Sequence, residues 1–375
     1  MKTFFVIIIW ILSLNTGCNT SDSINNQEPP SGQTHQLEVE VLAKDLENPW
    51  SIAFLPDGRM LIAERPGRLR FFENGQLSAP ISGLPPIWQN GQGGLLEVAL
   101  HPEYEINGWI YLGYASSIDG QKGNTAIGRA KLEGSTLVDF EQLFWGTPLT
   151  DLTYHFGCRI VFDGQNRLYF PIGDRGEMEN AQKLSNHNGK LMRIHDDGRI
   201  PLDNPFVGED NARPEIYNYG HRNIQGMAIH PETGEIWTHE HGPRGGDEIN
   251  IEKPGANYGW PIVTFGINYD GTTITNDTTL PGITDPIHYW VPSIAPCGMC
   301  FVTSDKYPNW KNNLIVTALA GQQIQRLTLS GAQVVNTEKL LQGYARFRDI
   351  RQGPDGYLYV LTESPGQLIR LKPID

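Results

Sequence analysis

The chain has 375 residues, a length that one large all-β domain can use, and its 41 glycines and 26 prolines suit many short strands joined by tight turns. Only 19% of the residues are charged, and the formal net charge is -13 at pH 7. Such a surface repels polyphosphate, which argues against nucleic acid as a partner.

The N-terminus is predicted to be a signal peptide over residues 1–18. Lys2 precedes the apolar run FFVIIIWIL, which is too short to span a membrane as a helix. Gly17-Cys18 resembles a bacterial lipoprotein cleavage site, although Asn15 stands where such sites usually carry an aliphatic residue. We therefore expect a lipidated Cys18 and a periplasmic or outer-membrane-anchored protein, with plain secretion as the alternative. Residues 19–36 are polar and are predicted to be a disordered linker.

One pattern recurs six times in residues 37–375: an apolar alternating run, a polar turn, and a second apolar run. The copies begin at Ser51, Leu95, Arg159, Gly226, Gly298 and Asp349. Each copy predicts a β-hairpin, and several are followed by another short strand such as GRLRFF. The repeat predicts an all-β, six-bladed β-propeller with four-stranded antiparallel blades. The run QLEVEVLAKDL is expected to complete the last blade and close the ring, and no linker supports the alternative of stacked β-sandwich domains.

The two longest segments outside these hairpins are residues 173–220 and 262–296. Both are predicted to be loops between blades. Because such loops gather at one mouth of a propeller channel, we expect function to concentrate there.

Polar side chains recur where the predicted hairpins start or end. They are Gln92, His155, Asp174, Arg175, Arg222, Asn223, Arg346 and Arg348. If each hairpin begins near the channel, these side chains converge on one mouth, and several arginines favour an organic acid as ligand. A neutral His155 could act as a general base oriented by Asp174. The alternatives are a structural histidine and salt bridges between blades for Arg346 and Arg348.

Two stretches resemble metal or redox sites. In HEHGPRGGDE, a zinc interpretation uses His239 and His241 but finds no clear further ligand. In CGMC, a bridge between Cys297 and Cys300 requires a turn, because three extended residues span about 10 Å. Buried free thiols, with Cys158 as the third, are the simpler interpretation.

Several motifs in combination resemble one known family. They are GQGGLL, HFGCR, IGDRG, GHRNIQG, EHGPRGGDEIN, NYGWP, SIAPCGM and RFRDIRQGPDG. The chain resembles the soluble quinoprotein glucose/sorbosone dehydrogenases, particularly the bacterial aldose sugar dehydrogenases, over nearly all of residues 38–373. The resemblance implies a six-bladed propeller that binds pyrroloquinoline quinone (PQQ) and Ca²⁺ and oxidises the C1 hydroxyl of aldose sugars to a lactone.

The resemblance also implies roles for individual residues. His155 matches the catalytic base that takes the sugar hydroxyl proton as hydride moves to the quinone, and Asp174 matches the acid that supports it. Gln92 matches a polar residue that lines the substrate and cofactor site, and Trp290 matches an aromatic residue at the sugar entrance. The cofactor-binding residues implied are Gln92, Arg222, Asn223, Arg346 and Arg348. The partners implied are an aldose sugar and a quinone or cytochrome-type electron acceptor.

The metal ligands follow from the same resemblance. Gly242 and Pro243 match the pair whose backbone carbonyls bind the active-site Ca²⁺, and Glu248 with the backbone of Tyr258 matches a second, structural Ca²⁺. One departure concerns the cofactor: Ala320 stands near the position of a lysine that contacts a cofactor carboxylate in glucose-oxidising relatives. One cationic contact is therefore expected to be missing.

Two other functions suit a propeller. A calcium-dependent lactonase-type hydrolase needs side-chain carboxylates and asparagine at the channel metal, whereas this chain offers Gly-Pro carbonyls and arginines. A non-enzymatic extracellular binding propeller is disfavoured by the joint presence of His155, Asp174, Arg222 and Asn223, although Ala320 favours it.

Overall fold

The computed structural model describes residues 37–374, so the predicted signal peptide, Cys18 and the linker lie outside the described residues. The described chain forms six four-stranded antiparallel sheets in a propeller arrangement. The prediction of an all-β, six-bladed propeller is confirmed. Within residues 37–374, no helix is both long and apolar enough to cross a membrane.

The first three blades follow one another along the chain. Blade 1 contains β2 (Pro49–Phe54), β3 (Met60–Glu64), β4 (Arg68–Glu73) and β5 (Gln76–Leu77). Blade 2 contains β6 (Leu95–Leu100), β7 (Trp109–Ser117), β8 (Gly123–Glu133) and β9 (Thr136–Trp145), with the short helix α1 (Tyr104–Asn107) between β6 and β7. Blade 3 contains β10 (Val161–Phe162), β11 (Leu168–Ile172), β12 (Lys190–Ile194) and β13 (Ile216–Tyr219), with a 3-10 helix at Met178–Gln182.

The last three blades complete the ring. Blade 4 contains β14 (Ile224–Ile229), β15 (Ile236–Glu240), β16 (Asp247–Ile251) and β17 (His288–Trp290). Blade 5 contains β18 (Pro296–Phe301), β19 (Leu314–Ala318), β20 (Gln323–Ser330) and β21 (Gln333–Leu340). Blade 6 contains β22 (Arg346–Gln352), β23 (Leu358–Ser364), β24 (Gly366–Pro373) and the N-terminal β1 (Leu37–Ala43), which pairs with β24 as predicted.

All six predicted hairpins form the first two strands of a blade. The turn of the first hairpin shows why the sequence folds this way. Asp57 accepts a hydrogen bond from the Arg59 amide at 3.0 Å, and Gly58 takes a φ of 90° that suits glycine. The apolar side chains of neighbouring blades then pack together. In one cluster, Val302 and Ile315 of blade 5 pack with the side chains of Phe347 and Ile350 of blade 6.

A buried charge network lies where the first strands of the blades face one another. Arg159, before β10, is 3.1 Å from Glu97 of β6 and 3.2 Å from Asp349 of β22. Arg351 is 3.2 Å from Glu97 and 3.1 Å from Asp349. Two carboxylates and two guanidinium groups therefore neutralise each other and connect blades 2, 3 and 6.

The prediction that residues 173–220 and 262–296 are loops between blades is wrong. β12 and β13 lie within the first segment, and β17 lies within the second. The longest connections run inside blades, over residues 195–215 and 252–287. These outer strands are short and stand among glycine, asparagine and proline residues, so their alternation was too weak to detect.

The three cysteines of the described region are free thiols, as the simpler interpretation predicted. Cys297 and Cys300 lie in the extended strand β18, which holds their Cα atoms too far apart for a bridge. Cys158 and Cys297 are fully buried, as predicted, whereas Cys300 is only partly buried.

Candidate active site

Antiparallel pairing places the start of the first strand and the end of the second strand at the same end of every blade. Several of the predicted polar side chains therefore converge on one cavity of about 310 Å³. Its lining includes Gln92, Asn223, Arg346 and Arg348 from the prediction, together with Trp50, Arg65, Phe156, Gln225, His241 and Glu363. The cavity draws residues from all six blades or the segments that precede them.

His155 and Asp174 form a hydrogen-bonded pair beside this cavity. Nδ1 of His155 lies 2.6 Å from Oδ1 of Asp174, and the His155 amide donates to Oε1 of the cavity residue Gln92 at 2.9 Å. Asp174 also accepts hydrogen bonds from the Trp260 indole at 2.9 Å and from the Gly176 amide at 2.8 Å. The carboxylate is therefore fixed, and it orients the imidazole ring.

The electrostatics of the pair favour a neutral histidine beside an ionised aspartate. Burial lowers the pKa of His155 below its ordinary value, although the hydrogen bond to Asp174 opposes this shift. Burial acts to raise the pKa of Asp174, but the bond from His155 and the charge of Arg222 outweigh it and leave this pKa lowered. Nδ1 then carries the proton donated to Asp174, and Nε2 has a free lone pair. A side chain that is 13% exposed can present this atom to a substrate.

Arg175 holds the backbone that carries His155. Its guanidinium donates to the carbonyls of Leu152 and Tyr154 and lies 3.5 Å from the centre of the Phe156 ring. His155 itself has a φ of 58°, an uncommon conformation for a side chain of this size, and these contacts fix it. The sequence predicts Arg175 at the end of a hairpin but indicates no role for it.

Arg346 and Arg348 share one carboxylate. Glu363 of β23 lies 3.2 Å from Nε of Arg346 and 2.8 Å from Nη2 of Arg348. The acid belongs to the same blade, so the alternative of salt bridges between blades is wrong for this pair. Nη1 of Arg348 also contacts Sγ of Cys297 at 3.1 Å.

Arg65 is a third guanidinium in the cavity, and the sequence analysis missed it. It follows β3 directly, in the run AERPG, where it resembles an ordinary surface arginine. Ala320, the position of the expected lysine, is exposed, and its neighbour Leu319 lines the cavity.

Glu240 positions the two predicted cofactor residues of blade 4. Its carboxylate accepts hydrogen bonds from the amides of Arg222 at 2.5 Å and Asn223 at 3.2 Å, and it lies 2.8 Å from Nδ1 of the buried His221. The Asn223 amide oxygen accepts from the Gly157 amide at 3.1 Å. The start of β14 is therefore held from both sides.

The turn after β15 is organised by Asp247, another residue that the sequence analysis did not single out. This carboxylate accepts from the Gly242 amide at 2.9 Å, the Ser293 hydroxyl at 2.7 Å and the Ile294 amide at 2.7 Å. Only glycine fits at position 242, because an added Cβ would lie 2.2 Å from the Gly245 carbonyl oxygen. The Gly242 carbonyl accepts from Nη1 of Arg222 at 3.0 Å.

The two predicted ligands of the active-site Ca²⁺ are adjacent in one turn, and the two predicted ligands of the second Ca²⁺ line the same small cavity. Gly242, Glu248 and Tyr258 line one small cavity with Glu240, whereas Pro243 is buried beside Gly266. Burial and then the Glu240 carboxylate raise the pKa of Glu248 well above its ordinary value. Within residues 37–374, no three side chains of His, Cys, Asp or Glu form a metal-binding cluster.

The two histidines of HEHGPRGGDE separate. His239 is fully buried against Gly226, whereas His241 lines the large cavity and its Nε2 lies 2.7 Å from the Pro296 carbonyl oxygen. Burial lowers the pKa of His241 to about 3, so this ring is neutral.

Trp290 does not lie at an entrance, which corrects the prediction. It is buried in the apolar cluster between blades 4 and 5, and its indole donates to Gln325 at 3.0 Å. Alternation along β17 turns its neighbour Tyr289 outward instead, and that ring stacks on Phe265 with the ring centres 3.8 Å apart.

This fold and this site define a six-bladed β-propeller with one polar, arginine-rich cavity. The sequence model of the glucose/sorbosone dehydrogenase family matches residues 46–370, so the chain belongs to that family and is an oxidoreductase that acts on sugars. It is 45% identical over 345 residues to the aldose sugar dehydrogenase YliI of Escherichia coli (strain K12), covering 90% of this chain and 93% of that protein.

Solved structures give the same result. The apo-form of the soluble aldose sugar dehydrogenase from Escherichia coli superposes with a TM-score of 0.87 at 43% identity, covering 90% of this chain and 100% of that one. The PQQ-bound form of the aldose sugar dehydrogenase from Streptomyces coelicolor superposes with a TM-score of 0.74 at 26% identity, covering 92% and 100%.

Proposed function

We propose that this protein oxidises the C1 hydroxyl of aldose sugars to a lactone, with PQQ and Ca²⁺ as cofactors and His155 as the general base. The observation that carries the proposal is the His155–Asp174 pair, joined at 2.6 Å, beside a cavity rich in arginine. The PQQ-bound relative from Streptomyces coelicolor supports the choice of cofactor.

The cavity fits a polycarboxylate such as PQQ. Arg65, Arg346 and Arg348 face a single carboxylate, that of Glu363, so three positive charges and one negative leave a formal charge of +2. Arginine forks bind carboxylates in a bidentate manner, and Trp50 and Phe156 supply aromatic surface for a flat ring system. Gln92 and Asn223 add hydrogen-bonding groups for its polar edge.

The donor atoms near blade 4 fit Ca²⁺, which prefers oxygen ligands that include backbone carbonyls. At the first site, the Gly242 carbonyl is directed toward Arg222 rather than toward a strand partner, and Pro243 follows in the same turn. At the second, Glu248 stands beside Glu240, and a cation there would offset both the burial and the repulsion by Glu240 that raise the pKa of Glu248. Tyr258 would contribute its backbone.

When bound, PQQ supplies the hydride acceptor and Ca²⁺ a Lewis acid for its carbonyl. The protein supplies the proton acceptor. With Nδ1 donating to Asp174, Nε2 of His155 takes the proton of the C1 hydroxyl while the C1 hydrogen departs as hydride. The sugar loses one proton and one hydride and becomes the lactone. Arg222 and Asn223, fixed by Glu240, orient the bound groups.

The hydrolase alternative is less well supported. It needs side-chain carboxylates at the channel metal, whereas the turn at Gly242 offers backbone carbonyls and Asp247 is already engaged by Gly242, Ser293 and Ile294.

The substrate, electron acceptor and location belong to the same proposal: an aldose, a quinone or cytochrome-type acceptor, and export with a lipid anchor at Cys18. Loss of labelled palmitate from a Cys18→Ala variant would support the anchor, and retained label would contradict it.

The experiment is reconstitution of the apo-protein with PQQ and Ca²⁺, followed by aldose oxidation with an artificial electron acceptor. We expect retained cofactor absorbance and turnover of at least one aldose. If no aldose is oxidised and no cofactor absorbance stays with the protein, the proposal fails.

A further inference from the structure

Arg65 occupies the cavity without an ion-pair partner. It is partly buried, and its hydrogen bond from Nη1 to the Gly91 carbonyl, at 2.7 Å, reaches a neutral acceptor. Arg346 and Arg348, in contrast, both contact Glu363. Among residues 37–374, no carboxylate forms a salt bridge with Arg65. Its charge is therefore the least compensated of the three in the cavity.

The surrounding backbone holds Arg65 in place before any ligand arrives. The Leu95 amide donates to the Arg65 carbonyl at 3.1 Å. A Cβ at Gly94 would lie 2.0 Å from that carbonyl oxygen and 2.6 Å from Cγ of Arg65, so the glycine lets the loop pack directly on the arginine stem. The motif GQGGLL thus has a physical function: it fixes a guanidinium at the cavity wall.

A half-buried guanidinium without a carboxylate is unfavourable on its own. Burial lowers the pKa of Arg65, and the nearby Arg348 acts in the same direction, while Glu363 acts against them. A carboxylate ligand would stabilise the charged guanidinium of Arg65, because its charge and its two oxygens match the guanidinium fork.

We propose that Arg65 binds a carboxylate of PQQ, as a cationic contact in addition to Arg346 and Arg348. This inference rests on the proposed function and deepens it, since it names a further residue that holds the cofactor. The geometry that carries it is the position of Arg65 in the cavity, its fixation by Gly91 and Gly94, and its lack of a carboxylate partner.

The test measures PQQ binding directly, by equilibrium dialysis of apo-protein with Ca²⁺ and without sugar. Arg65→Gln removes the charge, and Arg65→Lys keeps it. Arg199→Gln is the matched control, because it removes one positive charge from an exposed side chain that pairs with Asp197 in a turn. We expect R65Q to weaken PQQ binding about tenfold or more, as charged hydrogen bonds contribute about 1.5–3 kcal/mol. R65K, which keeps the charge but not the fork, should retain part of the affinity, and R199Q should retain all of it.

Other results would overturn the inference. Equal affinity of R65Q and wild type, or equal weakening by R65Q and R65K, would show that the charge of Arg65 does not hold the cofactor. Unchanged PQQ affinity with a raised KM for sugar would assign Arg65 to the substrate instead. If R65Q does not fold in a thermal melt, Arg65→Met, which keeps the apolar stem against Gly94, gives the same comparison. Failure of the wild type to bind PQQ would refute the proposed function itself.

Discussion

At the scale of single residues, the chemistry depends on one proton acceptor. His155→Ala removes the only ring nitrogen that we assign to the C1 hydroxyl proton, while the arginines of the cavity remain. We expect kcat to fall about 10²–10⁴-fold, the range typical of general-base catalysis, with the Kd for PQQ nearly unchanged. Stopped-flow turnover and equilibrium dialysis measure the two quantities. His195→Ala, in a turn after β12, is the control, and normal turnover by H155A would refute the assigned role.

The pH dependence follows from the same pair. The His155 pKa lies below its ordinary value of about 6.5, so the base stays neutral and active at mildly acidic pH. Activity should decline only as the pH falls through this lowered pKa, where the ring becomes protonated. Because the bond to Asp174 opposes the lowering, Asp174→Asn should move the acid limb of kcat/KM to still lower pH and reduce kcat. An acid limb that shifts upward in D174N would contradict this account.

Arg175 acts through His155 and is a positioning residue. Arg175→Met removes the donors to the Leu152 and Tyr154 carbonyls, so the backbone at His155 should lose its fixed conformation. We expect kcat to fall at least tenfold with little change in the Kd for PQQ, since a displaced base costs rate rather than cofactor affinity. Arg175→Lys, which can still reach one carbonyl, should recover part of the rate. A loss of PQQ affinity equal to the loss of kcat would indicate general disruption of the site instead.

The site residues that the sequence predicts differ physically from those that only the structure reveals. Gln92, Asn223, Arg346 and Arg348 stand at equivalent points of repeats, and that regularity predicted their convergence. Arg65 and Asp247 act through neighbours contributed by other turns, at Gly91 and at Ser293, and a one-dimensional pattern does not show which turns meet. Trp290 was misplaced because its side of β17 depends on a register that the sequence leaves open.

At the scale of elements, the blades are joined by the buried network of Glu97, Arg159, Asp349 and Arg351. Arg159→Met leaves Glu97 and Asp349 with one guanidinium between them, and breaking a buried pair typically costs about 3–5 kcal/mol. We expect the free energy of unfolding to fall by about that amount in urea titrations. Lys311→Met is the comparison, because Lys311 and its partner Asp305 are both exposed and such pairs contribute about 0–1 kcal/mol. Equal effects of the two substitutions would show that burial of the network adds nothing.

The strands were predictable from the sequence where apolar and polar residues alternate along them. All six inner hairpins followed from two largely apolar runs around a polar turn, because most residues of the inner strands are buried. The sequence did not predict β12, β13 and β17, because these strands are short and carry polar residues such as Asn218. The sequence also did not predict the connection over residues 252–287, although this connection places the Trp260 indole in hydrogen-bonding distance of Asp174.

At the scale of the whole molecule, closure of the ring brings distant parts of the chain to one site. β1 pairs with β24, which fixes blade 6 beside blade 1, and the cavity then combines Arg65 and Gln92 with Arg348 and Glu363. The site exists only in the closed propeller. This is why the repeat pattern predicted both the fold and the existence of a shared polar mouth.

The central claim is that a sugar loses hydride from C1 while His155 takes the hydroxyl proton. It is tested most directly with a C1-deuterated aldose, the protein reconstituted with PQQ and Ca²⁺, and mass spectrometry of the product. We predict a lactone that contains no deuterium, formed by the wild type and nearly absent with H155A. A product that retains the C1 deuterium, or lactone formed equally by H155A, would contradict the account.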